Sequence, residues 1–398
     1  MKTSAATAAL GPAAPTRSLD ATAVASFTGP RDRARSSDAR ARQRHLVRAL
    51  ARHVRSDTAT GVRLALADYA LFLLGLALAA FATHPALRIA GALLAGLKLC
   101  GFSVLGHDAA HNMLTRSRPL NKLIAVAVFT PCLFNYRLWL HAHHALHHTW
   151  TNGAPPDIHK PFTLQQYRAL PAWRRLCVRA SRSPSLIAQS LYFIYDRLTR
   201  VTIFSRVYPA VVRRQAVPFT LLTLAYLGGT AALLAWRRHF EWAETLIDVF
   251  LVMVLPLLVF HALTSIVLFL QHTHPRIPWF APDDPVEQAY GQEELVAHVP
   301  LPRWLGNLMH YSLEHPVHHI VPTIPCYHAR EAQAELNLLI GPRAVVLKPT
   351  LGNIRSVFRR CKLYDYETHR WRDFDGRYTS GSLARSVREP ITTPRRPA

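Results

Sequence analysis

Four long apolar blocks alternate with polar, basic stretches along this chain. The blocks cover residues 64–82, 86–105, 217–236 and 246–270. Each is close to the ~20 residues needed to cross a hydrocarbon core. Thr83, His84 and Pro85 separate the first two. A loop carrying Arg237, Arg238, Glu241 and Glu244 separates the last two. The pattern predicts an all-α integral membrane protein with four transmembrane helices arranged as two hairpins. Residues 123–134 are apolar but short, and read as a re-entrant or interfacial segment. Residues 135–216 are basic and aromatic, with Tyr167, Trp173, Tyr192 and Tyr208 among them. Amphipathic helices lying on a membrane surface fit that composition. The division is a disordered basic arm over 1–60, a membrane domain over 61–374 and a disordered Ser/Arg/Pro tail over 375–398.

Charge adds an orientation. The chain has 398 residues, half of them apolar, and 47 Lys+Arg against 24 Asp+Glu. Its mean hydropathy is still +0.07, so the apolar residues must be concentrated in blocks. The net charge of +23 is carried mostly by arginine. Arginine is dense at 31–55, at 137–215 and in the C-terminal tail, and sparse in the two connecting loops. The positive-inside rule then places both termini and a helical cap on the cytoplasmic side. A basic balance also suits nucleic acid, but no nucleic-acid module is present, and the basic stretches flank apolar spans as they would at an anionic membrane surface. The first 30 residues lack the apolar core of a secretory signal. They read as a disordered arm, with an organelle transit peptide as the alternative. The five cysteines, Cys100, Cys132, Cys177, Cys326 and Cys361, are scattered and show no CxxC pair. That excludes a disulfide framework and a thiolate metal site, and fits buried thiols in a reducing compartment.

The chemistry lies in the histidines. HDAAH holds His107 and His111, HALHH holds His144, His147 and His148, and HPVHH holds His315, His318 and His319. Residues three and four apart share a helix face, so each cluster can aim its imidazoles at one point. Imidazole is a common ligand for iron, zinc, copper and nickel. Eight neutral imidazoles exceed the needs of one ion, and two metal ions are the economical count. His107 follows the second span and His272 ends the fourth, so the clusters converge at one depth. His272 is a ninth candidate ligand, and His274 and His310 are weaker ones. His141 and His143 belong to the same run as the second cluster, and His261 lies inside the fourth span. His45, His53, His84, His239 and His369 read as surface residues. Lys98 reads as a snorkelling side chain, with a bundle-facing role as the alternative.

The surroundings of these clusters resemble the integral-membrane fatty acid desaturases, the histidine-box di-iron family. LGHDAAHNML and RPLN are similar to the first-box region, LWLHAHHALHHTWTN to the second, and HPVHHIVPTIPCYH to the third. FLQHTHPRIPWF resembles the segment after the fourth span. The resemblance covers about Leu64 to Leu338. It implies two iron ions held by the eight box histidines, dioxygen as co-substrate and two external electrons. The reaction it implies is insertion of a cis double bond into a fatty acyl chain. The substrate would be an acyl lipid or acyl thioester. Neither a fused haem motif nor a CxxC iron–sulfur pattern is visible, so the resemblance implies an external donor such as ferredoxin. His315 in place of the glutamine found in many front-end desaturases argues against that class. Asp108, Asn152, Asp157 and Glu314 are the sequence-near residues able to orient ligating imidazoles.

Related histidine-box enzymes insert oxygen instead, so a hydroxylase or ketolase acting on an acyl or carotenoid substrate is the alternative. HDAAH also resembles the zinc-protease HExxH, but its Asp retracts the base and six box histidines stay unexplained. A metal transporter needs acidic or histidine groups within the spans. Here the blocks hold only Asp68, Asp248 and His261 of that kind, with Lys98 as a cation.

Overall fold

The computed structural model describes residues 36–153, 159–197 and 208–384. Helices dominate. In order they are α1 (Ser37–Leu50), α2 (Thr58–Phe81), α3 (Pro85–Ala110), α4 (Arg118–Phe129), α5 (Tyr136–Leu140), α6 (Leu164–Ala169), α7 (Ala172–Ser181) and α8 (Leu186–Arg197). Then come α9 (Ala210–Arg237), α10 (Trp242–Val249), α11 (Leu255–His272), α12 (Arg303–Leu308), α13 (His315–Ile320), α14 (Cys326–Ile340) and α15 (Leu351–Arg360). A π-helical stretch, Phe250–Val254, joins α10 to α11, so that Trp242–His272 is one long helix. The strands β1 (Leu363–Asp365) and β2 (Arg370–Arg372) pair antiparallel.

Among the described residues, four helices are long and apolar enough to cross a membrane: Thr58–Phe81, Pro85–Ala110, Ala210–Arg237 and Trp242–His272. The first two start for local reasons. The Asp57 side chain accepts the Thr60 N–H and caps α2. Pro85, whose missing N–H costs nothing at a first helical position, opens α3. The two helices touch through small residues. A Cβ on Gly91 would stand 2.6 Å from the Gly75 carbonyl oxygen, so the backbones meet where no side chain fits. Gly96 does the same for α11, with a Cβ position 2.7 Å from Val259. The helix α9 is largely unpacked and turns Leu221, Leu224, Leu233 and Trp236 outward.

At the end of α3 far from the histidines, buried Asp248 gathers three arginines. Arg237 Nη1 lies 2.5 Å and Arg238 Nε 2.6 Å from its carboxylate, and Arg88 bonds it from α3. Arg88 and His107 are 19 residues apart on one helix, about 28 Å along its axis. This ion cluster and the histidines therefore mark opposite ends of the bundle.

Several expectations change. Lys98 does not snorkel. It is 2% exposed, and its Nζ lies 2.6 Å from Asp68 Oδ1. The other Asp68 oxygen lies 2.7 Å from His310 Nε2. Pairing within the bundle relieves the cost of these charges in an apolar setting. The basic arm is not disordered throughout: from Ser37 it forms α1. Leu46, Val47 and Leu50 there bury against Val317, Ile320 and Leu336. Arg42 bonds Glu293 at 2.9 Å. Its arginines hid this apolar stripe. Residues 1–35 lie outside the described part. The tail is ordered beyond 375 as far as 384. Tyr378 sits between Arg370 and Arg372, and its hydroxyl donates to Asp365 at 2.9 Å. Residues 385–398 fall outside the description. The short apolar stretch at 123–134 begins within α4, which packs Ile124, Ala125, Val128 and Phe129 into the core. His369 is buried rather than superficial, 3.5 Å from Asp284.

Candidate metal centre

Three helix ends and one irregular turn deliver the imidazoles. His107 and His111 sit one turn apart where α3 finishes. His272 is the last residue of α11. His315, His318 and His319 occupy the single turn of α13, opened by Pro316. The second box lies in a π-helical stretch, His141–His147, that continues α5. Its wider turn aligns residues five apart: the His148 N–H donates to the His143 carbonyl at 3.1 Å. That register puts the rings of His143 and His148 on one face.

Two clusters result. His107, His111, His143, His148 and His318 bring one ring nitrogen each within 4.8 Å of one another, and so do His147, His272, His315 and His319. In the first, His318 Nε2 lies 3.0 Å from both His107 Nε2 and His148 Nε2, and His148 Nε2 lies 3.0 Å from His143 Nε2. In the second, His315 Nε2 lies 3.2 Å from His272 Nε2 and 3.1 Å from His319 Nε2. Hydrogen bonding cannot account for this. A ring nitrogen carries either one proton or one lone pair, yet His148, His315 and His318 each face two neighbours. Two nitrogens about 2.1 Å from one ion, at right angles, stand about 3.0 Å apart. The residues fit a metal pair with all-nitrogen ligation.

The electrostatics agree. Burial first, then the neighbouring imidazoles, hold His111, His143, His148, His315, His318 and His319 well below the usual imidazole range. His144 is lowered to about 4, chiefly by burial. Those seven rings are neutral at pH 7, and neutral imidazole is the form that ligates.

Partners fix some of these rings. Asp108 Oδ1 stands 3.0 Å from His107 Nδ1, and Oδ2 accepts the Cys326 N–H at 2.6 Å, at the start of α14. A proton on His107 Nδ1 leaves the Nε2 lone pair facing the cluster. Glu314 instead lies 2.6 Å from His298, a ring that belongs to neither cluster. Asn152, with a positive φ of 55°, donates to the Leu295 carbonyl at 2.9 Å and tethers the second box to the 290s. Asp157 lies outside the described residues.

The structure brings together His107, His111, His147, His148, His272, His315, His318 and His319. His144 lies at the edge of the first cluster, outside the set of mutually close nitrogens. That ring stands 4.2 Å from His111, centroid to centroid, with a buried Nε2 that has no hydrogen-bond partner. His143 joins the first cluster. An α-helical reading of HALHH selects positions 144, 147 and 148, and the π-turn selects 143 and 148. The sequence signal for His143 was only its membership of a histidine-rich run. His274 and His261 stay outside both clusters, and His310 serves Asp68.

A cavity of about 370 Å³ reaches the clusters. His107, His143, His147, His315 and His318 form part of its wall, and Val104, Leu146, Leu263, Val267 and Leu268 form apolar parts of it.

Comparison with known proteins fits this arrangement. The family profile for fatty acid desaturases matches residues 82–347. The chain is 28% identical over 288 residues to an sn-1 oleoyl-lipid 12-desaturase of Picosynechococcus sp., covering 69% of this chain and 76% of that one. It is 26% identical over 312 residues to a chloroplastic omega-6 fatty acid desaturase of Spinacia oleracea, covering 76% and 63%. It is 27% identical over 253 residues to an sn-1 acyl-lipid omega-3 desaturase (ferredoxin) of Synechocystis sp., covering 63% and 67%. With two thirds of its length under the family profile, four apolar helices and clustered histidines, this chain belongs to the fatty acid desaturase family of membrane oxidoreductases.

Proposed function

We propose that the chain inserts a cis double bond into the acyl chain of a membrane lipid, at two irons held by the two histidine clusters. The observation that carries this reading is the shared cavity: one apolar space is walled by histidines of both clusters. A methylene pair in that space gives –CH=CH–. Dioxygen, two electrons and two protons go in, and two waters come out. Bound iron supplies the dioxygen and one-electron chemistry that removes hydrogen from an unactivated carbon.

The chain's residues do the rest. The first cluster would hold one iron and the second the other, with His144 at the edge of the first as a further ligand. Asp108 keeps the His107 proton on Nδ1. The apolar wall binds the acyl chain, excludes bulk water and limits which carbon meets the irons. The four apolar helices are read as two transmembrane hairpins, with the histidines and both termini on the cytoplasmic side. Arginine density supports that orientation. An external one-electron carrier supplies the reductant. Ferredoxin is the natural type, given the donor printed in the name of the Synechocystis relative.

The test is the lipid profile of a host expressing this chain, with His315→Ala as control. A new unsaturated acyl species absent from the control supports the reading. A new hydroxylated or keto lipid keeps the metal site and moves the reaction to oxygen insertion. No new lipid, with two irons bound and a donor present, overturns it.

A further inference from the structure

Two helices give independent measures of how far the cavity extends below the histidines. On α3 the deepest lining residue is Cys100, seven positions before His107 and about 10 Å along the axis. On α11 the lining stops at Leu263 and Thr264, and Leu263 is nine positions before His272, about 13 Å.

The next turn explains why the space ends there. At Gly96 the two helices are in backbone contact, with a Cβ position 2.8 Å from the Pro256 carbonyl oxygen. Two buried rings complete the closure. Phe134 packs on Phe260, with centroids 5.6 Å apart, and Phe193 packs on His261 at 5.5 Å. Both phenylalanines line the cavity. A carboxylate or ester placed on such a floor would lose its hydration with little in return, whereas a methyl end loses nothing.

We propose that this floor is a stop for the methyl end of the acyl chain, and that Cys100, Thr264, Phe134 and Phe193 determine the position of the double bond by setting its depth. The inference rests on the acyl-desaturase reading above and extends it to regioselectivity. An extended hydrocarbon advances about 1.3 Å per carbon, so the space below the histidines takes about eight to ten carbons. The carbons that meet the irons are then counted from the methyl end. Raising the floor moves the bond towards that end, and lowering it moves the bond away.

The experiment is mass-spectrometric location of the double bond in lipids of a host expressing the full chain. Acyl chains of sixteen, eighteen and twenty carbons are compared, in the wild type and in Cys100→Leu and Phe193→Leu. A bond at constant distance from the methyl end across the three lengths supports the stop. A shift of about one or two carbons towards the methyl end in Cys100→Leu, and the opposite shift in Phe193→Leu, supports these residues as its floor. A bond at constant distance from the carboxyl carbon overturns the proposal, and so does an unchanged position in variants that form product. If a variant does not fold, the chain-length series in the wild type decides alone. A wild type that forms no double bond at all fails earlier, at the reaction itself, and is distinguished by that.

Discussion

Asp108 joins two parts of the metal site that are more than 200 residues apart in sequence, and its removal is the sharpest single perturbation of it. One carboxylate oxygen faces His107 Nδ1 at 3.0 Å, and the other accepts the Cys326 N–H at 2.6 Å. The helix α14 that starts at Cys326 in turn holds the third box, because Gln333 accepts the Val317 N–H at 2.9 Å. Asp108→Ala removes both acceptors. The Cys326 N–H is left buried and unpaired, at about 1–3 kcal/mol. The His107 tautomer is released as well, and losing a partner of that kind weakens metal binding about 10–100-fold. That factor corresponds to about 1.4–2.7 kcal/mol. Asp108→Asn keeps an oxygen for Cys326 but loses the charge facing His107, so it should retain the fold and lose part of the iron. The assay is iron per chain in purified protein along a chelator titration, with thermal unfolding measured in parallel. Both variants holding two irons against chelator as firmly as the wild type would refute the positioning role.

Two further predictions concern the same clusters. His272→Ala should lower bound iron from two per chain towards one, because it removes one of four nitrogens from the second cluster, whereas His274→Ala should leave the iron unchanged. Equal iron in both variants would remove His272 from the site. Acid should strip the metal and destabilise the apo-protein. The buried imidazoles stay neutral when folded but bind protons when unfolded, so below about pH 6.5 the unfolded state holds more protons and stability falls with pH. For His144 the window runs from about 6.5 down to about 4, and for the six more strongly lowered rings it continues further. A melting temperature and iron content that stay flat from pH 7.5 to 4.5 would contradict the buried, neutral state of these rings.

The sequence alone decided what depends on local composition. A run of about 20 apolar residues has few other places to go than a bilayer, so the four long helices were legible from hydropathy. The three histidine boxes and their flanking residues sufficed for the family, because the ligand chemistry is written in residue type and spacing. His272 was also within reach, as a histidine ending the fourth apolar block. Tertiary structure decided what depends on distance between separated segments. That His143 joins His148 in the first cluster follows from a π-helical register, which the spacing HxxHH does not reveal. Lys98 looked like an interfacial cation until Asp68 on α2 and His310 were brought to it. The apolar stripe of α1 had no partner in sequence, and found one in α13 and α14. The cavity floor, too, exists only where Gly96 lets two helices meet. Pairings of this kind are set by packing across hundreds of residues, and local sequence carries no record of them.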